Sequence, residues 1–93
     1  MQVLKIFTSP TCPKCPPAKE LGKQLENIVK VEYFDVSETE GLAEAAFHSA
    51  MATPTLILVE DNKEIERWIE MPTLEEIKKL IIKQKKHGTK LYG

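Results

Sequence analysis

The stretch from Thr11 to Pro17, which reads Thr-Cys-Pro-Lys-Cys-Pro-Pro, constrains the fold of this chain more than any other segment. It contains both cysteines of the protein, Cys12 and Cys15, separated by two residues. A short apolar run precedes it, and a segment with helical periodicity follows it. Two cysteines this close together close too small a loop to stabilise a fold. We therefore interpret them as a functional dithiol at a strand-to-helix junction.

The hydrophobic pattern along the rest of the chain predicts the element order βαβαββα. The predicted strands cover residues 3–8, 29–36, 55–59 and 63–69. The first and third strands are nearly continuous apolar runs, which is typical of central strands covered on both faces. The fourth strand is rich in charge and suits an exposed edge. This order predicts an α/β fold with a four-stranded mixed sheet and helices on both faces.

Local signals mark where the helices and turns lie. Ser37 with Glu40, and Thr73 with Glu76, each form a capping-box pattern that predicts a helix start. The second helix should bury a face of small apolar residues, namely Leu42, Ala45, Ala46 and Ala50, and Gly41 should weaken it. An interior glycine in the first helix, Gly22, should permit close packing on the sheet. The dipeptide Asp61-Asn62 predicts a hairpin turn.

Size and charge exclude several classes of function. The 93 residues are enough for one core, which we expect to span residues 1–88 and to be followed by a short flexible tail at 89–93. A net charge of −1 gives no basic field for nucleic acid or anionic membranes. No apolar run approaches the ~20 residues of a membrane helix, and no secretion-signal pattern is visible. We expect a monomer in the reducing environment of the cytoplasm.

The segment from Lys5 to Cys15 is similar to glutaredoxins at the same spacing, and the similarity continues into residues 18–21. Thr53-Pro54, at the start of the third predicted strand, stands where that family has its cis-proline. On these motifs the chain resembles the small redox proteins of the thioredoxin fold. The resemblance implies a thiol–disulfide oxidoreductase that reduces protein disulfides. Its redox centre would be the dithiol itself, with no bound cofactor.

The two cysteines would have different roles in this chemistry. Cys12 lies at the start of the helix, where the dipole favours a thiolate, and Lys14 adds a positive charge beside it. Because the thiolate is the attacking species, Cys12 is the predicted nucleophile. Cys15, one turn into the helix, would be shielded from solvent and would resolve the mixed disulfide.

The predicted substrate-binding residues flank this dithiol. In the family that the chain resembles, the residue before the cis-proline offers its backbone to an extended substrate. Thr53 would take that role, and Pro54 would form the cis peptide bond. Thr11, Pro13 and Lys14, which surround Cys12, would complete the substrate-binding surface.

Departures from the family patterns bear on the electron donor. Thioredoxins usually have a tryptophan before the first cysteine and a buried aspartate on the preceding strand, where this chain has Thr11 and Ile6. Glutathione-using glutaredoxins have a diglycine where this chain has Glu66-Arg67. Glu66 would repel the glutathione carboxylate, although Arg67 could partly compensate. We therefore predict recycling by a flavoprotein of the thioredoxin-reductase type, with a glutathione-dependent glutaredoxin as the alternative.

A metal-binding or iron–sulfur carrier is a second alternative, from a different class. A Cys-x-x-Cys motif supplies only two of the four ligands that such a site needs. The two histidines, His48 and His87, do not stand in a recognisable ligand spacing. Such a carrier would therefore need a site shared between two copies of the chain, and we predict no metal site.

Overall fold

The computed structural model describes residues 1–81, in which strands and helices follow the predicted order. The elements are β1 (Gln2–Thr8), α1 (Cys15–Leu25), β2 (Lys30–Asp35), α2 (Thr39–Phe47), β3 (Thr55–Glu60) and β4 (Lys63–Trp68). A third helix, α3, is described from 74 to 81. The histidine at 87 and the predicted tail at 89–93 lie outside the described residues.

The four strands form one mixed sheet in the order β2-β1-β3-β4. β1 runs parallel to β2 and antiparallel to β3, and β3 pairs with β4 as an antiparallel hairpin. Asp61 and Asn62 make the hairpin turn with positive φ angles of 51° and 69°, which a two-residue turn of this hand requires. The predicted central strands, parallel pair and closing hairpin are confirmed.

Helices cover both faces of this sheet, as predicted. On one face, α1 and α3 bury a large apolar cluster that includes Leu4, Ile6, Ala18, Leu21, Leu25, Leu56, Leu58, Ile77 and Ile81. On the other face, α2 covers a smaller cluster of Phe7, Ala45, Ala50, Ile57 and Val59. The alternation of side chains along β1 and β3 divides these residues between the two clusters.

One of the two predicted capping boxes is wrong. Asp35 Oδ1 accepts hydrogen bonds from the Ser37 N–H at 2.8 Å and the Ser37 hydroxyl at 2.6 Å. The Ser37 hydroxyl therefore serves as a donor in a turn, and the helix cap falls at Glu38, without a side-chain cap bond. The second box is confirmed, since Thr73 Oγ1 accepts from the Glu76 N–H at 3.1 Å.

The predicted buried face of α2 is half wrong. Ala45 and Ala50 are buried, but Leu42 is 59% exposed and Ala46 is exposed as well. The helix is rotated because Gly41 faces the sheet, where a Cβ would lie 2.5 Å from the carbonyl carbon of Asp35. Gly41 therefore permits a close approach instead of merely weakening the helix, and Leu42 is turned outward.

Candidate active site

The two cysteines lie where two consecutive turns lead from β1 into α1, with Cys12 in the turns and Cys15 at the first helical position. The Cys12 N–H donates to the carbonyl of Ser9 at 3.2 Å, and the Cys15 N–H donates to the carbonyl of Cys12 at 3.3 Å. These bonds fold Cys12 back toward Cys15, whose Cα lies 5.4 Å away. The two Sγ atoms are joined as a disulfide. Both cysteines of the sequence therefore form one disulfide.

The start of α1 explains the geometry of this loop. Lys14 is the N-cap, Cys15 is the first helical residue, and prolines occupy the first turn. Pro16 and Pro17 have φ angles already suited to a helix, and neither contributes an N–H there. The helix begins at Cys15. Cys12 therefore lies three residues before it, and Cys15 is its first residue and does not lie one turn inside it as the sequence suggested.

Solvent exposure differs between the two cysteines. Cys12 is partly exposed, whereas Cys15 is only 2% exposed. Thr11, Pro13 and Lys14 are exposed around Cys12. An external sulfur can therefore reach one side of this disulfide much more easily than the other.

Thr53 and Pro54 stand at the same end of the sheet as the disulfide, and their peptide bond is cis, as predicted. Pairing of Phe7 with Thr55 brings the end of β1 next to the start of β3. Pro54 is buried and Thr53 is half-buried. The Thr55 hydroxyl donates to the carbonyl of Ala52, which closes the turn before β3.

A groove of about 350 Å³ lies between the loop that follows β1 and helix α2. It is lined by Ser9, Val36, Leu42, Ala45, Ala46, Ala50, Met51 and Thr53. Thr53 forms one part of its wall and Ser9, which holds the Cys12 amide, forms another. Sequence reasoning placed Leu42 and Ala46 in the core, and only the rotation of α2 brings them to this groove. Thr53 is the lining residue that the sequence placed beside the site, and Met51, next to it in the lining, is 90% exposed.

The carboxylate of Asp35, the residue before Val36 of the groove, has a lowered pKa. Hydrogen bonds from the Ser37 hydroxyl and from the Ser37 N–H hold the pKa of Asp35 below its ordinary value. Asp35 lies at the carboxyl end of β2, opposite Thr8 of β1. It acts there as the acceptor that closes the turn before α2.

Arg67, which the sequence left available to bind a glutathione carboxylate, has other partners. Its guanidinium binds the Glu64 carboxylate through Nε at 2.9 Å and through a terminal nitrogen at 2.7 Å. It also donates to the backbone carbonyls of His48 and Ser49. The guanidinium is therefore already bound to one carboxylate and two backbone carbonyls.

Two absences apply to the part of the chain from 1 to 81. No group of three or more His, Cys, Asp or Glu side chains in that part could hold a metal ion. None of the helices described there is both long and apolar enough to cross a membrane.

A disulfide between a partly exposed and a buried sulfur, at the start of a helix and beside a cis-proline, defines a thiol–disulfide oxidoreductase of the thioredoxin fold. No protein-family model matches the chain. It is 35% identical over 85 residues to a thioredoxin of Methanocaldococcus jannaschii, covering 87% of this chain and 93% of the relative. The probable thioredoxin of Archaeoglobus fulgidus is 33% identical over 96 residues, covering 100% and 98%. The chain belongs to the thioredoxin family.

Solved structures support the same fold. A mutant thioredoxin from Halobacterium salinarum matches with a TM-score of 0.76 at 26% identity, covering 86% of this chain and 71% of that one. Thioredoxin 1 from Thermosipho africanus matches with a TM-score of 0.70 at 19% identity, covering 94% and 98%. Thioredoxins use their redox-active disulfide without a further cofactor, and the family acts on disulfides with a reductase as donor.

Proposed function

We propose that this protein reduces disulfides of other proteins, with Cys12 as the nucleophile and Cys15 as the resolving thiol. The observation that carries the assignment is the difference in exposure between the two sulfurs. An attacking thiolate must reach a substrate sulfur, and Cys12 is the one that is partly exposed. The proposal includes a monomeric protein acting in the reducing cytoplasm.

The reaction balances as two successive exchanges. The Cys12 thiolate attacks one sulfur of the substrate disulfide, that S–S bond breaks, and the first substrate thiolate leaves. The Cys15 thiolate then attacks Sγ of Cys12, which breaks the mixed disulfide and releases the second substrate thiolate. The substrate gains two electrons and two protons, and the protein is left as the Cys12–Cys15 disulfide.

Thr53 and the groove beside it would hold the substrate during this exchange. An extended segment can pair with backbone N–H and C=O groups of Thr53, while its side chains contact the apolar groove. Thr11, Pro13 and Lys14 would contact the same segment from the other side of Cys12. Exposure of these three residues and the half-buried position of Thr53 support this docking mode.

A flavoprotein of the thioredoxin-reductase type is the proposed electron donor. Glutathione would need a cation for its carboxylates, and Arg67 is already bound to Glu64 and to two backbone carbonyls. Glu66, which is exposed on β4, adds a negative charge. The family membership of the chain supports the same donor.

Trapping with Cys15→Ser tests the assignment of the two thiols. The variant cannot complete the second exchange, so we expect a stable mixed disulfide between Cys12 and the substrate. Insulin with its disulfides intact serves as the substrate. Non-reducing electrophoresis with mass spectrometry locates the linkage. Cys12→Ser is the matched control and should trap nothing. A linkage through Cys15 in the control would reverse the roles.

Turnover with the two reductant systems tests the donor. We expect insulin reduction with a thioredoxin-type flavoprotein reductase and reduced nicotinamide, and little with reduced glutathione and glutathione reductase. Efficient turnover with glutathione alone would overturn the proposed donor and favour the glutaredoxin alternative.

A further inference from the structure

A β-bulge in β4 places two charged residues of this strand on the same face of the sheet. Leu58 pairs with Glu66, but the next residue, Val59, pairs with Glu64, so one residue of β4 is left over. In a regular strand, residues three apart point to opposite faces. Because the bulge shifts the register, Glu64 and Arg67 both face α2.

The guanidinium of Arg67 joins β4 to the end of α2. Through one terminal nitrogen it donates to the carbonyl of Ser49 at 3.1 Å, and through the other it donates to the carbonyl of His48. The Glu64 carboxylate holds the guanidinium in a two-point contact, through Nε and through the same terminal nitrogen that binds His48. The last carbonyls of a helix lack intrahelical partners, so a cation bound to them is both a hydrogen-bond partner and a favourable charge.

These two carbonyls are at the start of the segment that carries Thr53. His48 is the C-cap of α2, and Ser49 turns the chain with a φ of 55°, an uncommon value for a residue with a side chain. The Thr55 hydroxyl binds the Ala52 carbonyl at the other end. The segment from His48 to Thr55 is therefore anchored at both ends. Before Thr53, the N–H groups of Ser49 and Ala50 bind carbonyls of α2, and Arg67 adds the side-chain anchor.

We propose that Arg67 is a positioning residue for substrate docking. It acts through the backbone of His48 and Ser49 and makes no contact with the dithiol. The proposal rests on the function proposed above, in which Thr53 pairs with an extended protein substrate. Without the guanidinium, the segment before Thr53 would have to be ordered when substrate binds, and that cost would appear in KM. The dithiol loop lies between β1 and α1, so its chemistry should be unaffected.

Kinetics with two substrates separate docking from chemistry. Insulin is the protein disulfide, and dithiothreitol regenerates the dithiol in that assay. The small disulfide, 5,5′-dithiobis(2-nitrobenzoic acid), is mixed with pre-reduced protein from which the dithiothreitol has been removed, because dithiothreitol itself reduces it. For Arg67→Met we expect KM for insulin to rise about tenfold, with kcat changed less than about twofold. The rate constant with the small disulfide should stay within about twofold of wild type. Arg67→Lys should restore part of the KM, since an ammonium can bind one carbonyl but not the whole set.

Lys63→Met is the matched control, because it also removes one positive charge from β4 at an exposed position near the hairpin turn. We expect this variant to keep the wild-type KM. Amide hydrogen exchange gives a second readout, and Arg67→Met should accelerate exchange at Met51 and Thr53 more than in β3. If Arg67→Met does not fold, Arg67→Lys provides the same comparison of KM and exchange.

An unchanged KM for insulin in Arg67→Met, with exchange as in wild type, would overturn the inference. An equal loss with both substrates would also overturn it, since the effect would then be on the dithiol or on the whole fold. The proposed function fails in a distinguishable way. In that case the wild-type protein itself would reduce the small disulfide but not insulin.

Discussion

Replacement of Gly41 by alanine should destabilise this protein even though alanine is the better helix former. The new Cβ would lie 2.5 Å from the carbonyl carbon of Asp35 and 2.9 Å from its nitrogen, and still closer to the carbonyl oxygen. These atoms belong to the backbone at the end of β2. The Asp35 carbonyl also accepts the Glu38 N–H at 3.0 Å, so it cannot turn away freely.

The expected magnitude follows from two opposing contributions. Overpacking against backbone costs about 3 kcal/mol, the upper end of the usual range, because α2 must move away from the sheet by roughly 1 Å. Alanine recovers at most about 1 kcal/mol relative to glycine, because Gly41 lies in the first turn of α2 and not in its interior. The net loss for Gly41→Ala is therefore about 2 kcal/mol, or roughly 10 °C in Tm for a domain of this size.

Gly22→Ala is the matched control in α1. A Cβ there would meet Ile6 Cδ1 at 2.6 Å and the Tyr33 hydroxyl at 2.9 Å, and both are ends of side chains that can shift. The cost of about 1 kcal/mol should be offset by the helix-propensity gain, which leaves the stability nearly unchanged. Urea unfolding of both variants with the disulfide intact measures the difference. The reasoning is refuted if Gly41→Ala is as stable as wild type, or if Gly22→Ala is the more damaging change.

Two further predictions concern ionic and capping contacts. The half-buried Lys5 donates to Glu44 and holds the pKa of the Glu44 carboxyl below its ordinary value. The pair therefore stabilises the fold above the ordinary glutamate pKa, and this stabilisation is lost as pH falls through the lowered pKa of Glu44. Glu44→Gln should lower the free energy of unfolding by about 1–2 kcal/mol at pH 7 and by much less at about pH 3. Urea unfolding at both pH values measures the difference, and an equal loss at the two pH values would contradict the assignment. Thr73→Ala should lower the free energy of unfolding by about 1 kcal/mol, because the Glu76 N–H loses its acceptor. Thr73→Ser keeps a hydroxyl and should be nearly neutral in the same assay. Equal stability of the two variants would show that the cap contributes nothing.

Local patterns were sufficient for most of the fold. Apolar runs marked the strands, the Asp61-Asn62 pair marked the hairpin turn, and Thr73 marked the start of the last helix. Each of these signals depends on residues close together in the chain, so it can be recognised without the rest of the structure. The cis bond before Pro54 was expected from the family resemblance, since sequence alone favours trans.

The failures occurred where a distant or competing partner replaced the local one. Ser37 has the spacing of a cap, but Asp35 takes its hydroxyl and its N–H. Leu42 has the spacing of a core residue, but the close approach at Gly41 rotates it into the groove. Both outcomes depend on how closely α2 meets the end of β2, which periodicity does not report.

The sequence by itself determined the chemistry and the order of elements, because a Cys-x-x-Cys motif between a strand and a helix carries both in a few adjacent residues. The tertiary structure alone decided which surface stands beside the dithiol. The rotation of α2 turns Leu42 into the groove, and the bulge in β4 turns Arg67 toward the end of α2, 18 residues away from Ser49 in the chain. Such contacts depend on register and on backbone approach between separate elements, and a one-residue shift in register would reverse them.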